Sequence, residues 1–226
     1  MKKNSFIAFI PARKNSTRLK NKNLFPIGKK RLIDFTIISS IRANIFEDIY
    51  LSTDSTEMIS YVNKKYKSIK TIKRSKKFCK NHTTASEVLI DFLFKNKNLI
   101  KKNIVYLQPT SPQRTHIDIR KSVLKYTREK ARSLISVFEE KINLKFLGIS
   151  KRKLINLFNK EFISMNSQSL PKTFYTNGAI YIVNAYYFLK KKQFLINPSV
   201  PYLMSKNKSV DIDKLSDIRK IWPNLK

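Results

Sequence analysis

The feature that most restricts the fold is an alternation: short β-branched or aromatic runs are separated by segments of helical period. Such alternation argues for an α/β fold, a largely parallel sheet covered by helices on both faces. The first run, Phe6 to Ile10, is apolar throughout and reads as a buried strand, and a polar loop from Pro11 to Pro26 follows it. Apolar spacing predicts a helix from about Leu32 to Ala43, with Leu32, Phe35, Ile38 and Ile41 as its buried stripe. Ile49 to Ser52 reads as a second strand, and Thr53-Asp54-Ser55 as the cap of a helix burying Met58, Ile59 and Val62. Ile69 to Ile72 is a third strand. Thr84 and Glu87 form a capping box ahead of Ala85, Val88, Leu89, Phe92 and Leu93. Ile104 to Leu107 is a further strand, followed by a loop and a helix beginning near Thr115.

Beyond Leu134 the regularity fades. Leu134 to Phe138 and Ala179 to Val183 read as strands, and Asp217 to Trp222 as a short final helix. Glu139 to Pro171 holds short apolar pieces but no long helix. The expectation is one domain over 1–226 with an inserted arm at about 139–171, and an excursion of that length usually serves an interaction. A chain of 226 residues, 42% hydrophobic and 12% aromatic, suffices for one such packed core. No apolar run reaches the roughly 18 residues of a membrane span. The five apolar residues after Met1-Lys2-Lys3-Asn4 are too few for a signal peptide, so a cytoplasmic protein is expected. Cys79 is the single cysteine, which excludes an internal disulfide and a cysteine-based metal cluster.

Charge is the unusual feature: 47 Lys plus Arg against 15 Asp plus Glu give +32. One reading is a polyanion or nucleic-acid binder, because clustered cations neutralise phosphates and release counterions. Between Lys64 and Lys80, nine of seventeen residues are basic and none is acidic. The other reading is a solvated surface in a lysine-, asparagine- and isoleucine-rich chain. The lysines spread along the whole sequence, with no Arg-rich block and no helix-turn-helix, zinc-finger or RNA-binding signature. Nucleic acid is therefore not the expected partner, and the field instead favours the approach of small anionic substrates.

Ligands of open α/β sheets bind beyond the carboxyl ends of the strands, and three polar clusters fall at such ends. The loop after the first strand reads Ile10-Pro11-Ala12-Arg13-Lys14-Asn15-Ser16-Thr17-Arg18-Leu19, then Lys22-Asn23. Arg13 as a fork, Lys22 as a point charge and Ser16 as a hydroxyl suit a triphosphate, although no P-loop is present. A solvated connection is the plain alternative. Gln108-Pro109-Thr110-Ser111-Pro112-Gln113-Arg114-Thr115 is stiffened by two prolines. It presents an amide, two hydroxyls and the Arg114 guanidinium to a polyhydroxylated ligand, or is simply a rigid turn whose Thr115 caps a helix. Asp211-Ile212-Asp213 places two carboxylates on one side of an extended chain, a donor pair for Mg²⁺ against phosphate oxygens. An ordinary surface turn is the alternative there.

These clusters, in this order, resemble the acylneuraminate cytidylyltransferases, or CMP-sialic acid synthetases. The resemblance runs through Ile10 to Arg13, Ser16, Lys22-Asn23, Ser52-Thr53-Asp54, Gln108 to Pro112 with Arg114-Thr115, Asn177-Gly178-Ala179-Ile180-Tyr181-Ile182 and Asp211-Ile212-Asp213. It spans nearly the whole chain. It implies a Rossmann-like three-layer nucleotide-sugar transferase fold with a small protruding dimerisation arm, and a homodimer. It further implies CTP and a nine-carbon acidic sugar as substrates and Mg²⁺ or another divalent cation as cofactor. Carried over by position, Ala12, Arg13, Ser16, Lys22, Asn23, Arg74 and Ser86 would bind the nucleotide, with Arg13 and Lys22 stabilising charge during transfer. Gln108, Thr110, Lys145, Asn177 and Tyr181 would meet the sugar, and Asp211 and Asp213 the metal. The related Kdo cytidylyltransferases share the first loop but carry Lys-Pro where this chain has Lys22-Asn23, and lack the Gln-Pro-Thr-Ser-Pro loop.

Departures from the family pattern narrow the sugar. An acidic residue seven positions after the Arg matched by Arg74 is Asn81 here, and two family arginines fall on Ser167 and Tyr175. Lys145 is then the remaining cation for the sugar carboxylate, and a related nonulosonate such as legionaminate is implied.

Overall fold

The computed structural model describes residues 5–14, 16, 18–145 and 147–221. Met1 to Asn4, Asn15, Thr17, Phe146 and Trp222, all used in the sequence reading, lie outside those residues. Four consecutive βα steps lead the chain: β1 (Phe6–Pro11), α1 (Leu32–Ala43), β4 (Asp48–Thr53), α2 (Thr56–Lys65), β5 (Ile69–Lys73), α3 (Ala85–Lys95), β6 (Asn103–Tyr106) and α4 (His116–Arg128). A two-residue hairpin pair, β2 (Pro26–Ile27) and β3 (Lys30–Arg31), precedes α1. Then come β7 (Ser133–Glu139), β8 (Leu147–Ser150), β9 (Lys153–Asn156), β10 (Phe174–Asn184), α5 (Ala185–Lys191), β11 (Ser199–Leu203) and α6 (Leu215–Ile221).

Seven strands form one sheet in the order β11-β7-β10-β6-β1-β4-β5. Every pairing is parallel except those of β10, which runs antiparallel to both β6 and β7. β1 explains the layering. Its Ala8 and Ile10 join Ile33, Ile37, Met58, Val62, Ile119 and Val123 on the face covered by α1, α2 and α4. Ile7 and Phe9 join Val88, Leu89, Phe92, Leu93 and Phe188 on the face covered by α3 and α5. A strand buried on both faces must be apolar at every position, which is why Phe6 to Ile10 reads as an unbroken run. The result is the expected three-layer α/β arrangement. No helix among the described residues is long and apolar enough to cross a membrane.

The helix starts follow their caps. Ser55 Oγ accepts from Met58 N at 3.2 Å, and the Thr84–Glu87 box closes with Glu87 N on Thr84 Oγ1 at 3.2 Å and Thr84 N on Glu87 Oε2 at 2.7 Å. Thr115 and Asp118 make a second such box at α4. The stripe expected on α1 is corrected. Its packed face is Ile33, Thr36, Ile37 and Ser40, while Phe35 and Ile38 are half-buried and Ile41 is exposed. Hydroxyls enter that face because Ser39 and Ser40 donate to the Thr36 carbonyl at 3.0 and 2.7 Å, so no polar group is stranded. On α2, Met58 and Val62 are buried as expected and Ile59 only half so.

Between 139 and 171 the described residues contain no α-helix; β8 and β9 pair only with each other as an antiparallel hairpin. Leu147, Ile149, Leu154, Leu157 and Phe158 are exposed there. Leu144, in contrast, is buried.

Candidate active site

The carboxyl end of the sheet opens into a cleft of about 200 Å³. Its lining draws together segments far apart in sequence: Arg13, Ser16, Arg18, Lys22 and Asn23 from the first loop, Arg74, Thr83 to Ala85 and Val88, Tyr106, Gln108 to Thr110, and Asp213. A larger groove of about 540 Å³, bordered by Phe35, Ile38 and Pro112, contains none of the expected site residues and no carboxylate. Chemistry rather than size marks the smaller cleft.

The first loop is shaped by its own hydrogen bonds. Ala12 is buried and its N–H continues the β1–β4 ladder onto Ser52 O at 2.9 Å. Asn23 follows a left-handed Asn21 (φ 52°), and its Nδ2 donates to Arg13 O at 3.0 Å, folding the loop back on itself. Asn23 Oδ1 is buried without a donor among the described residues, an acceptor available to a ligand. Arg13 Nη1 donates to Asn81 Oδ1 at 3.1 Å. Position 81, where the family often has an acid, thus meets Arg13 with a neutral amide, and no ion pair of Arg13 occurs among the described residues.

Arg74 is buried at the end of β5, with Nε on Ser52 Oγ at 3.2 Å and Nη2 on Ser52 O at 2.8 Å. Burial pulls its pKa below the usual arginine value, and nearby Arg13 acts in the same direction. A guanidinium held in this way gains from an incoming anion.

Segment 211–213 closes the far wall. Ile212 is fully buried and its N–H donates to Thr110 O at 2.8 Å. Lys22 reaches across with Nζ on Ile212 O at 2.6 Å and on Asp213 Oδ1 at 3.1 Å, and Arg18 meets Asp213 Oδ2 at 3.0 Å. Asp211 is an exposed residue outside the cleft lining, unlike Asp213, and partial desolvation of its carboxyl raises its pKa from the ordinary carboxylate value. A hydrogen bond with Thr110 opposes the rise, neighbouring Asp213 adds to it, and Lys22 and Arg18 pull it down. The two carboxylates thus sense each other across Ile212.

Gln108 is set by a glycine. Gly178 has φ +71°, a backbone conformation that favours glycine, and a Cβ there would stand 2.9 Å from Gln108 Oε1, which would have to turn aside. Gly178 lies in an irregularity where the β10–β7 register shifts between Thr176 and Tyr181.

Several expected site residues sit elsewhere. The Arg114 guanidinium, read as presented to a ligand, is buried inside the protein. Asn177 is buried with both ends of its amide engaged: Oδ1 accepts from Ser136 Oγ and from Ala179 N, and Nδ2 donates to Ser209 Oγ. It shapes the bulge instead of facing the cleft. Ser86 is the second residue of α3 and off the lining; Thr83 and Thr84 occupy the cleft edge. Lys145 belongs to the arm and is not part of this cleft. Tyr181 is also off the lining, 4.9 Å from the Phe194 ring and 6.2 Å from Tyr106, and burial first, then the Asp211 charge, raise its pKa. Lining residues that the sequence reading missed include Thr83, Val88 and Tyr106. Their patterns, a threonine just ahead of a helix cap and two apolar core positions, carry no chemical signal of their own.

Comparison with known proteins agrees with this geometry. Residues 7–197 match the family model described as cytidylyltransferase. The chain is 29% identical to the N-acylneuraminate cytidylyltransferase of Escherichia coli O18:K1:H7 over 93% of its own length and 50% of that protein. It spans about half the length of the first curated relatives it matches. It is 31% identical to the CMP-N,N'-diacetyllegionaminic acid synthase of Legionella pneumophila, covering 92% of this chain and 90% of the other. The solved structure of CMP:2-keto-3-deoxy-manno-octonic acid synthetase complexed with CTP superposes with a TM-score of 0.71 over 98% of each chain, at 12% identity, a likeness of fold. With the matched region covering all of the sheet but its last edge strand, together with the first loop, the chain belongs to the cytidylyltransferase family.

Proposed function

We propose that the protein joins CMP to a sialic-acid-like nonulosonate, consuming CTP and releasing pyrophosphate. The observation that carries this reading is the convergence of Arg13, Lys22, Asn23 and Arg74 with Gln108, Thr110 and Asp213 on one cleft. The anomeric oxygen of the sugar attacks the α-phosphorus in line, and the bond to the bridging oxygen breaks as pyrophosphate leaves. Positioning and charge neutralisation do most of the work in such transfers. Arg13 and Lys22 neutralise charge on the phosphates, and Arg74 gains a partner for its buried guanidinium. Asn23 Oδ1, an acceptor lacking a donor, suits the exocyclic amine of cytosine.

The carboxylates of Asp211 and Asp213 are hard oxygen donors coupled to each other. No group of three or more metal-ligating side chains occurs among the described residues. Two carboxylates completed by phosphate oxygens and water are the usual way Mg²⁺ is held beside a nucleotide, so these residues fit it. When bound, the ion would add positive charge against the phosphate oxygens. A reaction that consumes CTP places the protein in the cytoplasm.

The sugar class is supported by the 31% identity to the legionaminic acid synthase, and by Tyr175, whose exposed ring packs 5.9 Å from Phe138. A pyrophosphate-release screen, offering CTP, ATP, GTP and UTP with nine-carbon and eight-carbon ulosonic acids, tests the reading. Turnover is expected with CTP and a diacetamido nine-carbon sugar; equal turnover with all four nucleotides would sink it.

Assembly belongs to the same proposal. Ile149 and Leu154 are 78% and 70% exposed on a hairpin whose strands pair only with each other among the described residues. Apolar surface of this kind marks an interface. The protein is expected to be a homodimer built on the 139–171 arm, bringing Lys145 towards the partner's cleft. Light scattering at micromolar concentration should give twice the chain mass, and Ile149→Glu with Leu154→Glu should halve it. A fully active monomer would refute this assembly.

A further inference from the structure

Arg114 is the largest of the fully buried side chains, only 1% exposed. No carboxylate lies within ion-pair distance of it among the described residues, and Asp118 acts only at longer range. Burial pushes its pKa down to about 9. Its donors end on three oxygens: Nη1 on Gln108 O at 3.0 Å and on Ala179 O at 2.8 Å, and Nη2 on Thr36 Oγ1 at 2.6 Å. Nε has no acceptor among the described residues. The three acceptors belong to three elements: the loop after β6, the irregular stretch of β10, and α1. The Thr36 hydroxyl also lies 3.5 Å from Gln108 O, closing the network.

As a stabilising device this arrangement is poor. Desolvating an unpaired guanidinium is costly, and an apolar side chain of similar length would avoid that cost. What the guanidinium supplies is a fixed distance between Gln108 and the Gly178 turn. That distance matters because Gln108 Oε1 lies directly over Gly178, 2.9 Å from where a Cβ would stand, so a shift of either segment turns the amide. Two groups on the nucleotide side are held without this network: Arg74 by Ser52 and Asn23 by Arg13 O.

We infer that Arg114 is a positioning residue for the acceptor sugar, aligning the Gln108 amide through the loop and the β10 bulge without contributing to CTP binding. The inference rests on the proposed reaction, in which Gln108 meets the sugar.

The test uses the full chain in three forms, Arg114→Met, Arg114→Lys and Thr36→Val. Calorimetry gives the CTP Kd, and steady-state kinetics give kcat and the sugar KM. Both Arg114 variants should lower sugar kcat/KM by about tenfold to a hundredfold, the range for small misplacements of a positioning group, with CTP Kd unchanged within about twofold. The lysine should recover little, because one ammonium cannot span three acceptors. Thr36→Val should shift the sugar parameter in the same direction and by less. Parallel weakening of CTP and sugar, or an unchanged sugar kcat/KM in folded Arg114→Met, overturns the inference. Should the Arg114 variants not fold, Thr36→Val decides: a sugar-only shift supports the role and no shift removes it. Wild type inactive with every sugar would instead defeat the proposed reaction.

Discussion

Asp211→Asn and Asp213→Asn are each expected to cut CTP-dependent pyrophosphate release at least about a hundredfold, equivalent to some 2.7 kcal/mol of lost transition-state stabilisation. The fold should survive both changes, because the side-chain ties of Asp211 to Thr110 and of Asp213 to Lys22 and Arg18 do not by themselves hold the segment's backbone. Ile212 does, through its buried side chain and its N–H on Thr110 O, while Asp217 Oδ2 accepts from Asp213 N at 3.0 Å and from Lys214 N at 2.9 Å. Asparagine keeps the shape and removes the charge, so a loss of turnover with an unchanged melting temperature isolates the electrostatic role. The two variants should differ in one respect. Asp213→Asn also strips Lys22 and Arg18 of their common partner, so added divalent cation should restore it less than it restores Asp211→Asn. Near-normal turnover in both variants would move the divalent-cation site elsewhere.

How far the sequence foretold this arrangement depends on which signal each element carries. β1 was legible because a two-sided strand must be apolar throughout, and α3 because Thr84 and Glu87 announce a capping box before a clean stripe. The face of α1 was not, because Ser39 and Ser40 look polar yet bond back to their own helix, and the Thr36 hydroxyl is taken up by Arg114. β11 was missed since Pro201 reads as a strand breaker, which an edge strand tolerates. α5 was missed because it runs straight on from β10 with no loop to mark its start. In the cleft, residues whose chemistry is written in their side chains and loop positions, Arg13, Lys22 and Asp213, could be picked out. Asn177 and Arg114 could not be placed from sequence. A buried polar residue that shapes a loop and an exposed one that binds a ligand have the same letter, and only the count of internal hydrogen bonds separates them.

Lys22→Met should be the most damaging change in the first loop, lowering kcat/KM for CTP by about a hundredfold or more if the charge acts on the phosphates in the transition state. The side chain is only 11% exposed, yet its ammonium lies at the cleft, between the loop and the carboxylate segment. Its two bonds, to Ile212 O and to Asp213, make it the one side chain shown to tie that loop to the backbone of segment 211–213. Methionine preserves length and apolar packing and deletes both the charge and the tie. Stability should fall modestly, since Asp213 keeps Arg18 as a partner at 3.0 Å and Ile212 keeps its bond to Thr110. Lys22→Arg separates the two functions. Arginine retains the charge, but its planar fork cannot place a single donor on Ile212 O at 2.6 Å without displacing the loop. If charge dominates, the arginine variant should recover most of the lost kcat/KM; if the tie dominates, it should resemble methionine. A methionine variant within about threefold of wild type for CTP would show that neither function matters, because a charge-assisted contact to phosphate in a desolvated cleft is worth far more than that.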